Sequence, residues 1–313
     1  MSDEHARLPA ILAQGRYRYQ APAKPAESLA GRVQAALGPS RVLVEDLVTD
    51  DRRRYAISYL GSSSQLVAPS EVAPAPPKRL FALANPAAGQ TRPAAAEDDP
   101  LNRQLRAGAF GAALSPLPGA ETEVRHIARL FPADSTTIVT GAAATEAAYE
   151  SEAGRSAIVH IAAHGVASDG QPLYSTLVLA PDKTRDGFLQ AFEVLRTSLR
   201  ADLVVLGACE TAVGGADWGQ GLVGLVAALE QSGARSVVAT LWSIDEATSE
   251  LMAAYYTAMS RGSSTSSALR QAKLQMLQRR LLLGNREVSL AHPFFWAPFI
   301  LVGTGPEAPP PAR

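Results

Sequence analysis

The chain has a single cysteine, Cys209, in 313 residues. That excludes an intrachain disulfide and any Cys-x-x-Cys metal or redox pair, and it fits a reducing compartment. Charge of one sign is lacking too. Lys and Arg total 29 against 30 Asp and Glu, a net charge of −1, so no basic footprint points to nucleic acid. No uninterrupted apolar run approaches the ~18 residues of a membrane span, and the start, Met1-Ser-Asp-Glu-His-Ala-Arg-Leu-Pro, lacks the apolar core of a signal peptide. A soluble, cytoplasmic protein without a membrane partner is expected. The histidines and Cys209 fall in no zinc-like spacing, so neither a metal nor another cofactor is expected.

What is present is a core. Hydrophobic residues make up 47% of the chain, enough for a sizeable α/β interior. Residues 1–39 read as a tail followed by a helix, with Leu29, Val33 and Leu37 at helical spacing before Gly38-Pro39. Val42-Leu-Val44 and Tyr55-Ala-Ile-Ser-Tyr59 read as short strands of a small region over 40–75, closed by a proline-rich linker. From 76 to 305 strands and helices alternate, which predicts a doubly wound, mostly parallel sheet flanked by helices, with a smaller N-terminal subdomain. Residues 306–313 read as a tail, and 90–111 as a surface loop whose Arg92, Arg103 and Arg106 are candidate processing positions. Within the larger region, 121–131 reads as an amphipathic helix and Thr145 as the cap of a short one. Residues 174–180 read as a strand. Residues 265–282 read as a long last helix, with Leu274, Leu277 and Leu281 inward and Arg270, Lys273, Arg279 and Arg280 outward.

Two stretches share one design. Asp202-Leu-Val-Val-Leu-Gly-Ala-Cys209-Glu-Thr and Ser156-Ala-Ile-Val-His-Ile-Ala-Ala-His164-Gly165 each run from an apolar strand through small residues to one reactive side chain. Parallel sheets gather such strand ends at their carboxyl edge, where α/β folds place ligand crevices. A thiol and an imidazole there form a candidate nucleophile and base. A lone cysteine is more often an inert core residue, but Cys209 follows its strand and precedes Glu210-Thr211. His160, inside the strand, reads as a core histidine, whereas His164 lies past the strand end. Gly165 can bring its N–H close to a substrate carbonyl and form an oxyanion hole with the N–H of Cys209. His126 and His292 read as structural, and Glu210 as a loop-ordering residue.

These segments resemble the CHAT domain. The resemblance extends to Gly233-Ala-Arg-Ser-Val-Val-Ala-Thr-Leu-Trp242-Ser-Ile-Asp245, to His292-Pro-Phe-Phe-Trp296-Ala-Pro-Phe-Ile-Leu-Val-Gly303 and, earlier, to Arg54-Tyr-Ala-Ile-Ser-Tyr-Leu60 and Arg79-Leu-Phe-Ala-Leu-Ala-Asn-Pro86. It covers roughly residues 40–304. It implies a caspase-like fold and a cysteine endopeptidase related to caspases and separases. His164 would be its base, Cys209 its nucleophile, and its substrate a protein cut at few sites. A regulatory protein partner and a latent state are further expectations. The helical repeats that often precede this domain are not seen in the chain, so the resemblance names no recruiting region. Acidic residues line the pocket for a basic residue in related peptidases, which makes Asp245 and, after it, Asp169 candidates for substrate binding. Against that, Ser243-Ile-Asp-Glu246 is a capping-box pattern that would put Asp245 at a helix start.

Two other functions compete. Gly219-Gln-Gly221-Leu-Val-Gly224 with Asp245 imitates a dinucleotide fingerprint, although the preceding strand ends at Leu206, too early for one. Those glycines fit loop folding and tight helix packing better. A catalytically idle adaptor on the same fold is the third reading.

Overall fold

The computed structural model describes residue 59 and residues 79–87, 114–166, 168, 171–207, 220–241, 245–283 and 286–303. They belong to one compact unit comprising Ile57–Gly61 and Val72–Arg313. The expected elements of residues 1–58, and the loop at 90–111 with its three arginines, lie outside the described residues.

Six strands form the main sheet: β1 (Leu80–Pro86), β2 (Thr136–Gly141), β3 (Ile158–Ala162), β7 (Leu203–Gly207), β8 (Ser236–Thr240) and β11 (Phe299–Gly303). Their order is β11-β8-β7-β3-β1-β2. All neighbours are parallel except β11, which runs antiparallel to β8. The chain steps outward from β1 to β2 and then returns to the other side of β1 to lay down β3, β7 and β8. The strand order therefore reverses between β1 and β3, the position where open α/β sheets form their crevice.

The central strands are apolar because both of their faces are covered. One face packs on α2 (Glu146–Glu152), α3 (Ala191–Val194) and α4 (Gln220–Ser232), through Tyr149, Val194, Leu225 and Leu229. The other packs on α1 (Pro118–Ala128), α5 (Asp245–Ser260) and α6 (Thr265–Met276), through Ile127, Leu251, Tyr255, Tyr256 and Met276. The architecture is mixed α/β, a mostly parallel sheet between helices. Thr145 caps α2 as its spacing predicts, its hydroxyl accepting from the Ala148 N–H at 3.2 Å.

The β11 edge carries one further pairing. Tyr59 donates its N–H to Leu301 O at 2.7 Å and accepts from Gly303 N–H at 2.8 Å, a parallel bridge that falls within the strand expected at 55–59.

Two predicted elements differ. Residues 174–180 do not enter the main sheet. Thr176–Val178 forms β5 of a small antiparallel sheet between β4 (Gly165–Val166) and β6 (Phe188–Gln190). The link from β5 to β6 is shorter than the dozen or so residues a parallel crossover needs, so it can join only an antiparallel pair. The last helix ends at Met276. Residues Arg280–Leu283 and Arg286–Ser289 instead form the antiparallel hairpin β9–β10. The buried side of α6 is Ala268, Leu269, Ala272 and Met276 in place of the leucine stripe, and Arg279 and Arg280 lie outside the helix.

No helix among the described residues is long and apolar enough to cross a membrane.

Candidate functional site

β3 and β7 lie side by side with Ala162 opposite Gly207. The two strands therefore end level. His164 follows Ala162 by two residues, and Cys209 follows Gly207 by two. Cys209 itself lies outside the described residues, as do Glu210 and Asp169.

His164 is 6% exposed. Its Nε2 is 2.7 Å from the main-chain oxygen of Ser115, just before α1. A carbonyl oxygen can only accept, so this contact places the ring proton on Nε2 and, in the neutral ring, leaves Nδ1 as the basic nitrogen. An orienting partner for the histidine was not expected from the sequence. A main-chain carbonyl carries no residue signature, and Ser115 is distant in sequence from His164.

Gly165 opens β4. The Val178 N–H donates to His164 O at 2.8 Å, while Gly165 stands opposite Leu177. In an antiparallel ladder, bonded and non-bonded pairs alternate, so the Gly165 N–H is directed away from β5.

His160 takes the other course. It is fully buried in β3, with Nδ1 3.0 Å from the Tyr256 hydroxyl of α5. Its Nε2 is 3.0 Å from Glu123 Oε1 of α1. That approach lies off hydrogen-bond geometry, and neither atom has a hydrogen-bond partner among the described residues. The cluster lies under the end of β7: a β-carbon added at Gly207 would stand 3.7 Å from both Glu123 Oε1 and His160 Nε2. Burial holds the Tyr256 phenol far above its ordinary range, with Tyr255 and Glu123 adding to the effect. As expected, His160 is a core histidine turned toward neighbouring helices. His126 is exposed on α1, and His292 accepts the Phe294 N–H at a short turn.

Asp245 is the first residue of α5, at a helix start though one place earlier than the capping pattern puts it; its side chain is outside the described residues. The glycine run ends in α4 with a packing role. A β-carbon at Gly224 would come within 2.3 Å of the Pro172 carbonyl oxygen, so the helix and the Pro172–Tyr174 turn touch only because glycine is there.

A cleft of about 160 Å³ lies between α1 and α5, bordered by Glu123, His126 and Glu250, and it reaches neither His164 nor Gly165. Among the described residues, no three His, Cys, Asp or Glu side chains group as a metal site. The strongest carboxylate perturbation is at Glu146, the first residue of α2. Burial, reinforced by Glu193 and Asp186, raises it to about 8, against the lowering effect of the Gly187 N–H it accepts at 2.7 Å.

The CHAT domain family model matches residues 32–304. The chain belongs to that family, whose domain is related to the caspase-like peptidases. No curated protein matches it.

Proposed function

We propose that the protein is a cysteine endopeptidase of the caspase and separase type, acting through His164 and Cys209. The observation that carries this reading is the His164–Ser115 contact. It sets the tautomer a general base needs, just past the end of the strand adjacent to the one that leads to the only thiol in the chain.

In this mechanism Nδ1 of His164 takes the Cys209 proton, and the thiolate attacks the peptide carbonyl. The N–H groups of Gly165 and Cys209 bind the resulting oxyanion. The imidazolium returns its proton to the leaving amine as the C–N bond breaks, leaving a thioester. Water, deprotonated by the same imidazole, hydrolyses that ester and regenerates the thiol. The substrate is a protein, met in a reducing compartment, and Asp245 or Asp169 would favour a basic residue before the scissile bond. A regulatory partner could release a latent form.

The test is a diverse peptide library incubated with the protein under reducing conditions, with cleavage sites read by mass spectrometry and Cys209→Ala as control. Cuts that disappear in the folded Cys209→Ala variant support the peptidase, and a shared basic residue before the bond assigns the acidic pocket. Cuts that persist in that variant sink it. Silence from the wild type on peptides and on candidate proteins points to a latent enzyme or to an adaptor on the same fold.

A further inference from the structure

β1 ends irregularly. Ala84 stands opposite Thr140 and Pro86 opposite Gly141, so Asn85 is the extra residue of a bulge. Its φ of +46° is in the left-handed region, the only non-glycine residue there among those described. Asparagine tolerates that region better than most side chains, and bulges commonly re-aim a side chain near a functional site.

Asn85 is aimed at the start of α1. Its Oδ1 accepts the Leu117 N–H at 2.6 Å, and its Nδ2 donates to Glu121 Oε1 at 3.0 Å. The two bonds grip the residue before the helix and a residue of its first turn. The helix has no side-chain cap of its own. Ser115, whose carbonyl meets His164, is two residues before Leu117. Asn85 lies at the end of β1 and His164 just past the neighbouring β3, at the point where the strand order reverses.

We propose that Asn85 is a positioning residue for the general base. It fixes residues 115–117 so that the Ser115 carbonyl holds the His164 proton on Nε2 and presents Nδ1 to the thiol. The assignment rests on the reading of His164 as base; Asn85 acts on the reaction only through Ser115.

The test is the tautomer of His164, read by long-range ¹⁵N–¹H correlation on labelled protein and assigned against His164→Gln. Asn85→Gly accepts the positive φ and removes only the side-chain bonds. Asn85→Asp keeps an acceptor for Leu117 but opposes Glu121. Combined with Glu121→Gln, the aspartate could accept from both the Leu117 N–H and the new amide, restoring the grip with its polarity reversed. The expected result is a single Nε2–H tautomer in the wild type, mixed tautomers in Asn85→Gly and Asn85→Asp, and the wild-type signature in the double variant.

A folded Asn85→Gly with the wild-type tautomer overturns the proposal, as does a wild type protonated on Nδ1. Should Asn85→Gly not fold, identical tautomers in Asn85→Asp and the double variant overturn it instead. The readout needs no turnover. Failure to cleave any peptide would count against the peptidase reading, whereas only the tautomer decides whether Asn85 positions His164.

Discussion

His160 of β3 and Tyr256 of α5 meet inside the protein, imidazole Nδ1 to phenol oxygen at 3.0 Å, with both side chains out of solvent. Four residues along the same chain, His164 is also buried but meets a different partner, the Ser115 main-chain oxygen. One strand and its extension thus give two histidines different partners, a side-chain phenol for His160 and a main-chain carbonyl for His164.

Tyr256→Phe leaves His160 Nδ1 without this partner in a site that excludes water. It should lower unfolding stability by about 1–2 kcal/mol while leaving the His164 tautomer unchanged. Urea melts beside the ¹⁵N spectrum would check both. A change in the His164 signal would mean that the two histidines are coupled.

With one cysteine, alkylation by iodoacetamide followed by intact-mass measurement reports Cys209 alone. The wild-type rate should rise at a pH below the ~8.5 of a free thiol if the proposed pair forms, because an imidazolium beside a thiol favours thiolate. In His164→Ala the profile should move up by about one unit or more. Identical profiles would count against a His164–Cys209 pair.

Gly224→Ala should cost on the order of 3 kcal/mol, because the new methyl would press on the Pro172 main chain, which cannot yield as a side-chain tip can. Thermal melts would measure it. Calorimetry of the wild type with NAD and ATP provides the companion check: micromolar binding would return the glycine run to a nucleotide role.

Glu146 makes stability depend on pH in a definite direction. Its folded value of about 8 lies above the ordinary 4.5, so the folded state holds a proton that the unfolded chain releases. Its stabilising share is fully present below about 4.5 and is lost as pH rises to about 8. Glu146→Gln keeps an amide oxygen for the Gly187 N–H and cannot ionise. It should match the wild type near about pH 4.5 and exceed it by a few kcal/mol above about pH 8. Denaturant midpoints across that range would show a widening gap; a constant one would mean that Glu146 titrates normally.

The main sheet was legible because strands buried on both faces leave apolar runs: the strands around Leu203–Gly207 and Ser236–Thr240 follow their sequence signals closely. The place of His164 just past the end of β3 was legible from the small residues before it. The end of the last helix was not. Leu274, Leu277 and Leu281 keep a helical period, but the chain turns after Met276 and re-pairs as a hairpin. The signal was Gly284-Asn285 between two short strands, a dipeptide favoured in two-residue hairpin loops. Ser115 and Asn85 were illegible for different reasons. The first contributes a main-chain atom. The second sits in a bulge, which appears only once the register of β1 against β2 is known.

The bridge from Tyr59 to Leu301 and Gly303 bears on where this protein can be cut. An edge strand stripped of its partner offers its row of N–H and C=O groups to any other chain. A version begun at Lys78 would retain every strand of the main sheet yet bare that row along β11. Keeping residues 57–61 is therefore a condition for shortening the molecule without inviting self-association.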